Sequence, residues 1–210
     1  MLKILSKFFN LYLKKSSIDP VEFLTESFWC FDLETTGLNA HKDYIVEAAF
    51  IPINRNKICI SKARYYKIHA PAYSADAAQV HGLLRSEGNQ SESDSLKEIS
   101  DFTKNQWLVG HHIAFDYKIL HNRCQTYAID FSPKGLIDTQ LLAIKAHTGS
   151  THYSELNAEK YTLHALCKQF DVHLEDAHTA AGDALATAIL FIKLLKLYER
   201  KKMLLPVIMK

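Results

Sequence analysis

The most informative segment of the chain is Phe28-Trp29-Cys30-Phe31-Asp32-Leu33-Glu34-Thr35-Thr36-Gly37. Its first four residues are apolar and are followed by Asp32, which is the pattern of a buried central strand. Residues two apart on a strand point to the same face, so Asp32 and Glu34 are predicted to project together at the strand end. The polar turn that follows includes Gly37, which is free to adopt a positive φ. Ligand sites in open α/β sheets lie beyond the carboxyl ends of strands, so a site is expected here.

Two acids at one strand end repel each other, which costs stability unless a cation lies between them. By itself, the pair is also compatible with a helix cap or with solvated surface acids. Acids contributed to the same place by other elements are needed to distinguish these interpretations.

The rest of the chain predicts a mixed α/β architecture. Segments 45–53 and 57–68 are rich in Ile, Val, Tyr and Ala and are separated by Asn54-Arg55-Asn56, which indicates a hairpin after the first strand. Short apolar runs at 107–110 and 136–137 add two strands. Helices are predicted at 96–105, 115–127, 139–147, 162–170 and 180–202. This order predicts a five-stranded mixed β-sheet with helices packed on it.

Length and composition set the broad class. A chain of 210 residues, 48% hydrophobic and 23% charged, is typical of one globular domain with a short extension. Its net charge of +2 produces no strong global field that attracts nucleic acid. An enzyme of this composition that acts on nucleic acid would need a locally basic groove or bound metal ions. The four cysteines are widely spaced, with no CxxC pair, which favours a reducing, cytoplasmic location. No apolar run approaches the ~18–20 residues of a transmembrane segment, and Lys7 interrupts any signal-peptide core.

The two ends of the chain are predicted to lie outside the main domain. Residues 1–15 show helical amphipathic spacing, so residues 1–25 are predicted to be an N-terminal amphipathic helical extension. This helix could bind a partner or a membrane surface, or pack as an arm on its own domain. Asp19-Pro20-Val21-Glu22 has the composition of a helix start. The main domain is predicted over 26–200, and residues 201–210 form a tail that is either a docking segment or a packed or frayed terminus.

Two later segments each contribute an acid after a predicted strand or before a helix. The segment Gly110-His111-His112-Ile113-Ala114-Phe115-Asp116 ends where a helix begins. Asp116 is either a site residue or an ordinary N-cap of that helix. His178 and Asp183 are five residues apart, which does not place them on one helical face. His178 is therefore predicted to lie just before the helix or in its first turn, with Asp183 further into the helix. No HExxH motif occurs, which makes a zinc hydrolase the weaker metal hypothesis. Three separate elements presenting an acid at one sheet edge favour a catalytic site.

At these segments the sequence resembles the DEDDh (DnaQ-like) family of 3′→5′ exonucleases, the group that includes the proofreading epsilon subunit of bacterial DNA polymerase III. Segment 31–38 resembles the first family motif, segment 110–116 the second, and His178 with Asp183 the third. Segments 80–83 and 161–167 resemble further family segments, and the similarity extends from residue 28 to about 195. His112 departs from the family, which usually has asparagine there, and this bears on substrate fit.

The resemblance implies a ribonuclease H-like fold and hydrolysis of phosphodiester bonds with two divalent ions, Mg²⁺ or Mn²⁺. It implies that the metal ligands are four acids: Asp32, Glu34, Asp116 and Asp183. Asp32 would bridge both ions, and His178 would be the general base that accepts a proton from the attacking water. The product would be a nucleoside 5′-monophosphate, released from the 3′ end of single-stranded DNA or RNA.

The resemblance also implies contacts with the substrate. Leu38 and Phe115 would contact the terminal base or sugar, and the backbone from Thr35 through Gly37 to Leu38 would bond the 3′ hydroxyl. Leu38 and Phe115 are alternatively ordinary core residues, and His81 either contacts substrate or makes a loop hydrogen bond. Asp138 is predicted to be a helix cap rather than a ligand.

Several alternatives stay open from the sequence. The main hypothesis is a DNA exonuclease of the proofreading or repair type, with a DNA polymerase subunit as a further candidate partner. An exoribonuclease would use the same ions and base, because the choice depends on how the pocket treats the 2′-hydroxyl. A catalytically silent binding subunit could retain the fold, although the complete set of four acids and His178 argues against it. The oligomeric state does not follow from the sequence.

Overall fold

A computed structural model describes residues 14–70, 89–150 and 158–209. Within these ranges there are five α-helices: α1 (Glu92–Thr103), α2 (Ala114–Thr126), α3 (Thr139–Thr148), α4 (Leu163–Gln169) and α5 (Ala180–Lys201). The strands are β1 (Lys14–Ile18), β2 (Ser27–Thr35), β3 (Ile45–Asn54), β4 (Lys57–Ile58), β5 (Arg64–Lys67), β6 (Trp107–Gly110), β7 (Gly135–Asp138) and β8 (Leu205–Met209). Short 3₁₀ helices lie at Pro20–Thr25, Ile60–Lys62 and Ala158–Tyr161.

All of the described strands belong to one mixed sheet. Its order is β1-β8-β7-β6-β2-β3-β4, and β5 pairs with β3 beyond the end of β4. The central strands β2, β6 and β7 are parallel to one another, and the remaining pairs are antiparallel. Helices cover both faces, so the predicted α/β class with helices packed on a mixed sheet is confirmed.

Alternation along β2 divides the core into two layers. Phe28 and Cys30 pack in the layer that includes α3, α4 and α5, whereas Phe31 and Leu33 pack in the layer that includes α1 and α2. Because side chains alternate along a strand, Asp32 and Glu34 lie on the α5 face. The strand therefore directs both carboxylates toward the helix that includes the third acid.

The sheet has eight strands rather than the five that were predicted. The predicted 57–68 strand is interrupted by the 3₁₀ turn at Ile60–Lys62, which separates β4 from β5. The predicted hairpin is present, with Arg55 and Asn56 both at positive φ in a two-residue turn of the kind that matches strand twist. The other added strands, β1 and β8, pair with each other across almost the whole chain.

Residues 1–13 of the helix predicted over residues 1–15 lie outside the described residues. The prediction is wrong for Lys14 and Lys15, which belong to β1 because they pair with Met209 and Ile208. Asp19 does begin a helix, as predicted: its Oδ1 accepts a hydrogen bond of 2.9 Å from the Val21 N–H, although the helix is 3₁₀. At the other end, much of the predicted tail is packed as β8 against β7. Among the described helices, none has the length and apolarity needed to cross a membrane.

Candidate active site

Three carboxylates meet where β2 ends and α5 begins. One oxygen each from Asp32, Glu34 and Asp183 lies within 4.8 Å of the other two. Glu34 is buried, and the other two side chains are half-buried. A buried oxygen of Asp183, Oδ1, has no hydrogen-bond partner among the described residues. Three elements were predicted to present acids to one edge of the sheet, and two of them, β2 and α5, bring their acids together here.

The start of α5 positions Asp183 beside the end of β2. Thr179 caps the helix, and its hydroxyl accepts a hydrogen bond of 3.1 Å from the Gly182 N–H. A Cβ at Gly182 would lie 2.4 Å from the Asp176 carbonyl oxygen, so only glycine allows the preceding loop to approach the helix this closely. The backbone of the loop before α5 therefore packs closely against the helix start at Gly182.

His178 precedes α5, as predicted from its spacing to Asp183. It is exposed and has a φ of 65° in the left-handed region. Its backbone and its ring both lie close enough to Asp183 to oppose the effect of burial on that carboxyl pKa. His178 is therefore adjacent to the acid cluster without being part of it.

Asp116 approaches from the opposite face of the sheet. It lies in the first turn of α2 and is buried, and Ile113 occupies the N-cap position without a side-chain hydrogen bond. The N-cap alternative for Asp116 is thus wrong. Asp116 is not among the three acids whose oxygens lie within 4.8 Å, but it is close enough to raise the pKa of Asp32.

Electrostatics at this cluster favour the uncharged acids in the absence of a cation. Burial is the main cause of raised pKa values at all four carboxyls, and that of Glu34 rises to about 8. Repulsion from neighbouring acids adds to the effect at Asp32, Glu34 and Asp116. A cation would relieve this repulsion, and hard carboxylate oxygens suit Mg²⁺ or Mn²⁺. The donor set therefore fits the divalent ions that the resemblance implies.

The loop between β6 and α2 is fixed by the start of α3. Asp138 caps α3, as predicted: its Oδ1 accepts hydrogen bonds from the Gln140 N–H (2.8 Å) and the His112 N–H (3.1 Å). The ring of His111 contacts the Thr139 hydroxyl at 2.9 Å through Nδ1. Burial, with a smaller contribution from His112, lowers the pKa of His111 to about 4, although the nearby Tyr161 backbone opposes the shift. These contacts hold the loop that leads into the helix that includes Asp116 against the start of α3.

The predicted substrate contacts differ in their surroundings. Leu38 is 74% exposed, so the core alternative for it is wrong. Phe115 is half-buried and packs against the α1–α2 core layer. The Thr35 hydroxyl donates to the Gly37 carbonyl at 2.8 Å. Gly37 does not adopt a positive φ, and a Cβ there would lie 2.8 Å from a carboxylate oxygen of Asp43. His81 lies outside the described residues.

One buried acid was missed from the sequence. Glu47 lies directly opposite Glu34 in the β2–β3 ladder, is buried, and contributes to the raised pKa of Glu34. The available signal was a single charged residue within the apolar run Ile45-Val46-Glu47-Ala48-Ala49-Phe50. A charge inside such a run indicates a buried group with a specific partner.

The sequence and the fold of this chain are both similar to those of known proteins. Residues 29–191 match the family model described as exonuclease (RNase_T). The PolC-type DNA polymerase III of Bacillus subtilis (strain 168) is 31% identical over 177 residues, which covers 81% of this chain and 12% of that protein. The PolC-type enzyme of Latilactobacillus sakei is 29% identical over 168 residues, covering 79% of this chain. The chain spans only about a tenth of the length of these relatives (11% and 12%).

Among solved structures, E. coli exonuclease I in complex with a dT13 oligonucleotide aligns with a TM-score of 0.69. The sequences are 16% identical, and the alignment covers 84% of this chain and 42% of that one. At this identity the similarity shows the fold, and it confirms the predicted ribonuclease H-like architecture.

Proposed function

The chain belongs to the RNase_T exonuclease family and is a nuclease of the DEDDh type, and on that premise we propose that it removes nucleotides from the 3′ end of single-stranded DNA. The observation on which the proposal depends is the convergence of Asp32, Glu34 and Asp183, with oxygens within 4.8 Å of one another. Mutually repelling acids at one point cost stability, and a metal-dependent reaction gives a chemical reason to retain them.

Asp32, Glu34 and Asp183 would bind one Mg²⁺ or Mn²⁺ ion, and Asp32 with Asp116 would bind a second. Bound in this way, divalent ions supply activation of water and stabilisation of charge on the phosphate and on the leaving oxygen. The unpartnered Oδ1 of Asp183 supports its assignment as a ligand, because a buried carboxylate oxygen without a donor is otherwise costly.

His178 would accept the proton of the attacking water. Its position before α5 places the ring beside Asp183 but leaves it exposed to an incoming substrate. The water oxygen forms a bond to phosphorus, and His178 receives the water proton. The bond from phosphorus to the 3′ oxygen breaks, and that oxygen takes up a proton from solvent water. The products are a nucleoside 5′-monophosphate and a strand one nucleotide shorter with a free 3′ hydroxyl.

Leu38 and Phe115 would contact the terminal nucleotide, while the Thr35–Gly37 backbone would bond its 3′ hydroxyl. An apolar side chain as exposed as Leu38 is available for a base, and the hydrogen bond from Thr35 to the Gly37 carbonyl fixes the turn that precedes it. Apolar and stacking contacts tolerate any base, as a general exonuclease requires.

The relatives support DNA as the substrate and a link to replication. The similar solved structures include exonuclease I bound to dT13 and to dA16 oligonucleotides, and the similar proteins of known name are PolC-type DNA polymerases. A partnership with a DNA polymerase subunit follows as part of the proposal, because this chain matches only a small part of those polymerases.

The test is a time course on 5′-labelled single-stranded DNA and matched RNA, with Mg²⁺, Mn²⁺ or EDTA. Progressive shortening of the labelled DNA in the presence of metal is the expected result, with EDTA abolishing it. Immediate release of the labelled 5′ nucleotide would contradict the proposed direction. Faster loss of RNA would identify an exoribonuclease, and no cleavage of either strand would favour a silent binding subunit.

A further inference from the structure

A row of three charged residues begins at the metal-binding acid Glu34 and extends across the sheet toward its β5 edge. Glu34 on β2 is opposite Glu47 on β3, and Glu47 is opposite Lys67 on β5. Directly opposite residues in antiparallel pairs point to the same face, so all three lie on the α5 face. Two strand spacings place Lys67 roughly 10 Å from Glu34 along the sheet.

Glu47 fixes two side chains at the outer end of this row. The Tyr65 hydroxyl donates to Glu47 Oε1 at 2.6 Å, and Lys67 Nζ lies 3.9 Å from the same oxygen. The Glu47 side chain is only 7% exposed, whereas that of Lys67 is 44% exposed and Tyr65 as a whole is 45% exposed. Tyr65 is therefore anchored at its hydroxyl by the buried Glu47, while much of the residue is open to solvent.

Tyr65 and Lys67 lie on the opposite side of β2 from Phe115, the proposed contact of the terminal nucleotide. Asp116 and Phe115 lie in the first turn of α2, which begins four residues after β6 ends at Gly110. β6 lies on one side of β2, whereas β3 and β5 lie on the other side. A strand whose last nucleotide contacts the α2 side, with its scissile phosphate at Asp32 and Glu34, can continue across β3 toward β5. Nucleotides advance by at least about 3.4 Å each, so Lys67 is within about three nucleotides of the scissile phosphate.

We propose that Tyr65 and Lys67 form a subsite for the single strand on the 5′ side of the scissile phosphate, in which Tyr65 stacks on a base and Lys67 contacts a phosphate. An anchored aromatic side chain loses little rotamer freedom when a base stacks on it, and stacking tolerates any base. Lys67 supplies a local positive charge in a chain whose net charge is only +2. This subsite rests on the proposed exonuclease function and deepens it.

The opposite face of β5 supplies matched controls. The Tyr66 hydroxyl donates to Glu98 Oε2 at 2.8 Å, but Tyr66 is only 3% exposed. Arg64 lies over the Phe102 ring at 4.8 Å. The same strand thus has a second tyrosine–glutamate pair and a second cation that face away from the metal-binding acids.

The experiment compares kcat/KM on two substrates: a short single-stranded DNA oligonucleotide and the p-nitrophenyl ester of thymidine 5′-monophosphate, which has no nucleotide 5′ of its phosphate. For Tyr65→Ala, the ratio of oligonucleotide to ester kcat/KM should fall at least about fivefold, the effect of losing one stacked base. For Lys67→Gln, the slope of log(kcat/KM) for the oligonucleotide against log salt should decrease in magnitude by about 0.7, the value for one lost phosphate contact. Tyr66→Phe and Arg64→Gln should leave the ratio and the slope as in the wild type.

The two variants give independent readouts. Lys67→Gln alters a side chain that is 44% exposed, so this variant is expected to fold even if Tyr65→Ala does not. Wild-type cleavage of both substrates, with the salt slope of Lys67→Gln unchanged, would overturn the subsite and leave the proposed function intact. An equal fall in the Tyr66→Phe and Arg64→Gln controls would also overturn it. Failure of the wild type to hydrolyse either substrate would overturn the proposed function and the subsite together.

Discussion

Glu34 and Glu47 lie directly opposite each other in the ladder between β2 and β3, so two buried carboxylates share one face of the sheet. Like charges that lie directly opposite each other destabilise strand pairing. Burial, Asp183 and Glu47 together raise the pKa of Glu34 to about 8. Two features can offset the cost: a cation bound by Asp32 and Glu34 on one side, and the contacts of Glu47 with Tyr65 and Lys67 on the other. The cation belongs to the proposed function, whereas the contacts of Glu47 are present in the structure.

Replacing Asp183 with asparagine should separate activity from stability. Asp183→Asn is expected to lower kcat by about 100-fold or more, since a group that stabilises the transition state is lost. Burial raises the pKa of Asp183, so removal of its charge should increase the free energy of unfolding of the metal-free protein. Urea unfolding in EDTA, together with the nuclease assay, measures both. Asp101→Asn, an exposed acid on α1, is the control and should alter neither.

A methyl group at Gly182 should displace the loop that precedes α5. Its Cβ would lie 2.4 Å from the Asp176 oxygen and 2.6 Å from the Glu175 oxygen, both of them backbone atoms that no rotamer change can move. Gly182→Ala is expected to cost about 1–3 kcal/mol of stability and to reduce kcat through a shift of His178. Thermal unfolding and steady-state kinetics test this. Ala181→Ser changes the exposed neighbouring residue, and a matching loss of kcat there would argue against the steric explanation.

Leu38 should matter for substrate and not for the fold. Because its side chain is exposed, Leu38→Ala is expected to change stability by less than about 0.5 kcal/mol. If Leu38 contacts the terminal base, kcat/KM on single-stranded DNA should fall about tenfold. Ile60→Ala, another exposed apolar residue, is the control for general surface effects. Wild-type kinetics in Leu38→Ala would remove Leu38 from the substrate site.

His111 should make the protein less stable in mild acid. Its pKa is lowered to about 4 in the folded state, against about 6.5 when unfolded, so its contribution to stability is present above about pH 6.5 and lost as pH falls toward 4. Between pH 7 and 5 this contribution amounts to about 2 kcal/mol. The unfolding free energy of His111→Gln should therefore depend less steeply on pH than that of the wild type. The exposed His164→Gln should keep the wild-type dependence, and identical slopes for all three proteins would refute this role for His111.

Local patterns were sufficient to predict much of the fold. The apolar run before Asp32 identified the central strand, and four of the five described helices begin within one residue of the predicted position. Residues that favour helix starts explain this success, since Asp138, Thr162 and Thr179 each cap a helix with a side-chain hydrogen bond. The positions of Asp32, Glu34 and Asp183 follow from the ends of these elements.

Non-local relationships were not predictable in the same way. β1 and β8 pair across nearly 200 residues, and Pro206 in β8 argued locally against an interior strand. The contacts of Glu47 with Tyr65 and Lys67 depend on the register of β3 with β5, which a single sequence does not specify. Gly37 was predicted to be free to adopt a positive φ, but it does not adopt one, and its close approach to the Asp43 side chain is a contact that only the folded turn reveals.

The most direct test of the metal-dependent exonuclease assignment compares wild-type protein with Asp32→Asn on 5′-labelled single-stranded DNA, each with Mg²⁺ and with EDTA. We expect a ladder that shortens from the 3′ end only for the wild type with Mg²⁺, and release of nucleoside 5′-monophosphates. A folded Asp32→Asn protein that degrades the strand at the wild-type rate, or wild-type cleavage undiminished by EDTA, would contradict it.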